Sequence, residues 1–112
     1  MDIYNELQEK CRLLDNSVRS LRKTGSEYAK AYTDYRIALA EELLKLKAEG
    51  YAITLATDLA KGTPSVAQLK FEEISKEAIY KANLESINAL KLQIKIIQNQ
   101  IDKEFSNEVN NL

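Results

Sequence analysis

The side chains of this 112-residue chain that could do chemistry are carboxylates, tyrosines and one thiol, because histidine is absent. Carboxylates cluster at Glu41–Glu42 and again at Glu72, Glu73 and Glu77. Grouped acids of this kind are the ligands that hard cations such as Ca²⁺ or Mg²⁺ accept. The same spacing also describes an ordinary solvated helix face, and that simpler reading is the one taken here. Asp58 is a candidate functional acid in the middle of the chain, with a solvent-facing or first-turn carboxylate as the plainer alternative. Without histidine the usual general base, triad member and commonest metal ligand are all missing. A single cysteine cannot make a thiolate zinc site within one chain. No glycine-rich phosphate loop or dinucleotide fingerprint occurs. The expectation is a protein that is not an enzyme, with no catalytic residues, no metal and no cofactor.

Tyr28, Tyr32 and Tyr35 are the most suggestive cluster, since the spacing sets them on one helical face. Tyrosine suits half-wet interfaces, where the ring packs and the hydroxyl keeps water. They read either as a partner-docking surface or as fillers opposite small residues such as Ala78 and Ala82. With Tyr51 and Asp58 they form the candidate partner-binding set. Cys11 falls on the expected buried register of the first helix, as a small apolar residue or as a thiol paired across a symmetric interface. Arg12, Arg19 and Lys23 share a face with Arg22 beside them, but Asp15 and Glu27 lie close by, so a solvated charged face is favoured over phosphate contact.

Charge narrows the partners. Sixteen basic and seventeen acidic residues give a net charge of −1. The balance is local as well: residues 1–50 carry nine of each, and residues 51–112 carry seven basic and eight acidic. A nucleic-acid binder needs a basic face, which this balance does not provide. No apolar run approaches the roughly 20 residues of a membrane span, and the first residues do not resemble a signal peptide. A reducing cytosol, that of a host cell, is the expected compartment.

These residues must be positioned by helices. Ile87, Leu90, Ile94, Ile97 and Ile101 recur at spacings of three and four, the period of one helix face buried against another helix. In the first half Leu7, Cys11, Leu14, Val18 and Leu21 follow the same rule, and the register extends to Gly25, Tyr28, Tyr32, Tyr35 and Leu39. It survives Thr24-Gly25-Ser26, which favours one helix, continuous or kinked; Thr24 and Glu27 form the opposing capping-box signal. Gly50 is a natural stop. Thr54 can cap a short helix from Leu55 to Lys61, and Thr63 with Pro64 can open the last one. Val66, Ala67, Phe71, Ile74 and Ala78 supply the early apolar face of that helix. The elbow has a faint helix-turn-helix look, but the following helix would present Glu72, Glu73 and Glu77 to DNA phosphates.

The stretch from Gly50 to Gly62, then Val66-Ala-Gln-Leu-Lys-Phe71, Tyr80-Lys-Ala82, Leu92-Gln-Ile94 and Gln100-Ile101, with Tyr35-Arg36-Ile37-Ala38-Leu39, resembles a group of small uncharacterised helical proteins. These are encoded by phages and prophages of low-GC Gram-positive bacteria, often near recombination or single-strand-binding genes. Members tend to end the last helix with tryptophan, where this chain has Phe105. The resemblance brings no catalytic residues; it implies a setting and no mechanism.

The expected architecture is all-α and a single domain over residues 1–112: a long helix over about 2–49, an elbow with a short helix over about 54–61, and a long helix over about 64–106. The long helices would fold back as an antiparallel, coiled-coil-like hairpin. Apolar residues beyond one stripe per helix (Leu13, Ile37, Leu44, Leu92, Ile96) lead us to expect a bundle completed by oligomerisation, a homodimer being favoured. The expected function is a protein–protein interaction module of a phage or prophage, acting on itself or on a host or phage protein, as an accessory factor of recombination or replication or an inhibitor of a host system. A virion structural component or assembly chaperone, and a nucleic-acid-binding accessory protein, are the alternatives.

Overall fold

The computed structural model describes residues 2–111 as three helices, α1 (Ile3–Ala48), α2 (Ile53–Gly62) and α3 (Pro64–Asn110), with no strand among the described residues. Asp2 opens α1: its side chain accepts the Tyr4 N–H at 3.3 Å and its carbonyl accepts the Glu6 N–H at 2.9 Å. α1 then runs unbroken through Thr24-Gly25-Ser26. The capping-box residues therefore do not start a helix, and Glu27 instead meets Lys76 at 3.6 Å.

The stop after Ala48 is a Schellman turn. Gly50 takes φ +99°, its N–H bonds the Lys47 carbonyl at 3.0 Å, and the Tyr51 N–H bonds the Leu46 carbonyl at 3.2 Å. α2 starts two residues before the expected point. Ala52 stands at its N-cap with no side-chain bond, and Thr54 lies inside the helix rather than capping it. Pro64 is the first residue of α3, and the Thr63 carbonyl accepts the Ala67 N–H at 2.8 Å. The Thr63 hydroxyl points back instead of capping forward, donating to the Leu59 carbonyl at 3.1 Å and to Glu42 Oε1 at 3.4 Å. α3 extends to Asn110, so residues 107–110 are helical beyond the expected end near 106.

The architecture is an all-α antiparallel hairpin with a short elbow helix. Its contacts divide into two compact units, one of Lys23–Tyr80 and one combining the chain up to Arg22 with the chain from Lys81 onward. In the first unit Ala31, Tyr35, Ala56, Ala60 and Val66 are buried, and Thr63 to Glu42, Lys70 to Tyr35 and Tyr28 to Glu77 tie the helices in antiparallel order. In the second unit Ile87, Leu90 and Ile97 are buried and Ile94 and Ile101 half-buried, so the isoleucine stripe is the seam of α3. There the Asn83 side-chain amide donates to the Ser17 carbonyl at 2.9 Å, and the Ser17 and Ser86 hydroxyls meet at 3.3 Å.

The seam of α1 is turned from the expected register. Leu7, Leu14, Leu21, Tyr28 and Tyr35 do line it, but the intervening positions are Lys10, Ser17, Thr24, Ala31 and Ala38. Cys11, Val18 and Tyr32 are exposed instead. The small side chains at Ser17, Ala31 and Ala38 permit close helix approach between the large ones. The early face of α3 is corrected likewise. Val66, Leu69, Glu73, Lys76 and Tyr80 turn inward, while Ala67, Phe71, Ile74 and Ala78 are exposed.

Candidate functional site

The tyrosine cluster is divided by the helical turn. Tyr28 and Tyr35 sit seven residues apart on the seam, and Tyr32 points outward at 46% exposure. The Tyr28 hydroxyl donates to Glu77 Oε2 at 2.7 Å, and its ring lies 5.9 Å from that of Tyr80 at a 32° tilt. The bond to the Glu77 carboxylate holds the proton on Tyr28 and raises its pKa. Tyr35 is 7% exposed, with Lys70 Nζ 4.8 Å above its ring. The tyrosines thus face Glu77, Tyr80 and Lys70 and not the alanines at 78 and 82, which are exposed.

Lys70 also pairs with Glu73 at 2.9 Å. That carboxylate is 6% exposed, the buried charge of this unit, and its bond to Lys70 raises the lysine pKa. Glu73 is half of a structural ion pair whose lysine stands over the Tyr35 ring, a role the run Glu72-Glu73-Glu77 did not announce.

The three acids of that run go to three different partners. Glu72 accepts from the Gln68 amide at 3.3 Å, Glu73 from Lys70 and Glu77 from Tyr28. Among the described residues no group of three or more His, Cys, Asp or Glu side chains is placed to hold a metal ion. A groove of about 330 Å³ lies along Glu27, Lys30, Asp34, Leu69, Glu72 and Lys76. Its charges are compensated locally, Lys30 pairing with Asp34 at 2.7 Å and Lys76 with Glu27. Two further basic residues of α1 are compensated too. Arg12 bonds Glu9, which lowers the Glu9 pKa and raises that of Arg12, and Arg19 meets Asp15 at 2.9 Å.

The elbow holds what sequence reasoning missed. α2 turns Ala56 and Ala60 inward, both fully buried, and turns its larger side chains outward: Ile53, Leu55 and Leu59 are 52%, 51% and 41% exposed. Tyr51, just before the helix, is 42% exposed, and Asp58 is exposed on α2. The signal was the alanine pair four residues apart, a narrow face that lets a helix pack closely while its leucines remain outside. Of the five candidate residues, Tyr51 and Asp58 thus fall in the elbow with Leu55 and Leu59, Tyr32 is on the outside of α1, and Tyr28 and Tyr35 are taken up by the hairpin. Compared with protein-family models, curated proteins and solved structures, the chain has no match.

Proposed function

We propose that this chain is a non-catalytic protein–protein interaction module and that the elbow is its docking surface for another protein. The observation that carries the reading is the inversion of α2, which buries two alanines and exposes Ile53, Leu55 and Leu59 beside Tyr51. Leu55 and Leu59, one turn apart on the outside of α2 with Asp58 and Lys61 as polar neighbours, have the usual composition of a docking patch. In the phage or prophage setting that the sequence resembles, the chain meets a host or phage protein in the host cytosol, acting as an accessory factor of recombination or replication or as an inhibitor of a host system.

The test compares tagged wild type with a Leu55→Glu/Leu59→Glu variant as baits in host lysate, with circular dichroism to verify equal helicity. Proteins recovered by wild type and lost with the variant are the expected result. Recovery of the same set by both baits, or of no specific protein by wild type, overturns the reading.

A further inference from the structure

Within the Lys23–Tyr80 unit, α1 carries a second apolar stripe on the side away from its seam. Thr33, Ile37, Ala40 and Leu44 recur at spacings of four, three and four. All four are exposed, Ile37 at 53% and Leu44 at 69%. Ala31 and Tyr35, both buried, mark the opposite side of the same turns. The spacing is that of a paired-helix seam, and α1 is already helical throughout it, so a second helix could cover it without the cost of ordering it.

The charges beside the stripe say which helix that is. Arg36 lies along one edge and Glu41 along the other, both exposed. Arg36 has no acid three or four residues away on α1, where a helix supplies its own neighbours. Among the described residues neither Arg36 nor Glu41 makes an ion pair. Their separation of five residues is the spacing at which the flanks of two parallel helices meet, each residue beside the one five places later in the other chain. A second copy packed parallel and in register therefore sets Ile37 on Ile37, Ala40 on Ala40 and Leu44 on Leu44. Arg36 then stands beside the other copy's Glu41 on both flanks. An antiparallel pair with Ile37 opposite Ala40 instead brings Asp34 beside Glu41 and Arg36 beside Leu43. Lys30 and Lys47, which end the stripe, face a lysine in either arrangement and turn their ammonium groups to water, so they do not choose between the two.

We infer that a second copy of this chain covers the outward stripe of α1, the two α1 helices running parallel and in register about a two-fold axis between them. Each patch meets its own counterpart, which is an isologous interface. The exposed parts of these side chains amount to roughly 600 Å² per chain, so about 1,200 Å² in the pair, at the lower end of specific interfaces, and the dissociation constant is expected in the micromolar range. Parallel packing sets both α2 helices at the same end, so a partner with two sites would meet both elbows at once. The inference rests on the reading of the chain as an interaction module, but it uses a different surface from α2.

The experiment is a charge exchange in the full chain, read by light scattering and native mass spectrometry between about 1 and 100 μM protein. Wild type is expected to pass from monomer to dimer over that range. Arg36→Glu sets Glu against Glu on both flanks, and Glu41→Arg sets Arg against Arg. Each variant alone should dissociate at least about tenfold more readily. Mixed one to one, they should recover wild-type affinity as a heterodimer, because every pair is again opposite in sign. Loss of helicity in a variant would lower its own dimerisation but could not produce rescue on mixing. Leu44→Asp, which leaves both charges in place, should also give monomers. A monomeric wild type, variants as dimeric as wild type, or mixing without rescue overturns the arrangement. A monomeric wild type that still captures partners through α2 removes this inference alone, whereas a charge-dependent dimer without partner capture removes only the docking role of the elbow.

Discussion

At the scale of single residues, the polar groups of the seam set register rather than reactivity. Tyr28 donates to Glu77 and is stabilised as the neutral phenol, so its pKa is raised in the folded state. The associated stability is fully present below the unfolded tyrosine pKa of about 10 and is lost as pH rises through the higher folded value. Lys70, raised by Glu73, acts in the same direction at the same alkaline end. The urea midpoint of wild type should therefore fall above about pH 10, and Tyr28→Phe should flatten part of that fall; identical pH profiles for the two proteins would refute the assignment. The Glu73–Lys70 pair yields a second expectation. Lys70→Ala leaves a nearly buried carboxylate without its cation and should cost about 1 kcal/mol, reduced by the water around the half-exposed lysine. Glu73→Leu removes the buried charge itself and should be close to neutral in urea denaturation.

At the scale of elements, small residues decide which way each helix turns. Gly50 sits at φ +99° in the Schellman turn that ends α1, a conformation open to glycine, so Gly50→Ala should cost about 1 kcal/mol by thermal melting. Ala56 is fully buried beneath α2, so Ala56→Leu should overpack and cost about 1–3 kcal/mol, whereas Leu55→Glu, on the outer side, should change stability by less than about 0.5 kcal/mol. The same asymmetry explains what could be read from sequence. The isoleucine stripe of α3 was legible because its largest residues face inward, as were the glycine stop and the Thr63-Pro64 start. The seam of α1 was ambiguous because two rows share Leu7, Leu14, Leu21, Tyr28 and Tyr35. Hydropathy favours the row with Cys11, Val18 and Tyr32, while close packing favours the one with Ser17, Ala31 and Ala38. In early α3, hydropathy pointed Phe71 and Ile74 inward, but it is Glu73, ion-paired to Lys70, that is buried there. The elbow patch and the outward side of α3 were hidden for that one reason: burial there follows size and register and not apolarity.

At the scale of the whole molecule, the question is whether one chain can be stable with so little of its apolar surface covered. Among the described residues Val66 is the largest side chain that is fully buried, and several core positions are alanine, while Phe71, Ile74, Leu92, Ile96, Leu44 and Phe105 all remain more than half exposed. A small chain has a marginal balance between burial and chain entropy even when its core is well filled. In a chain that associates, association contributes to folding itself, and stability becomes a function of concentration. The melting temperature measured by circular dichroism should accordingly rise by several degrees between about 1 and 100 μM protein. A wild-type melting temperature that is high and constant across that range would show that the hairpin is self-sufficient.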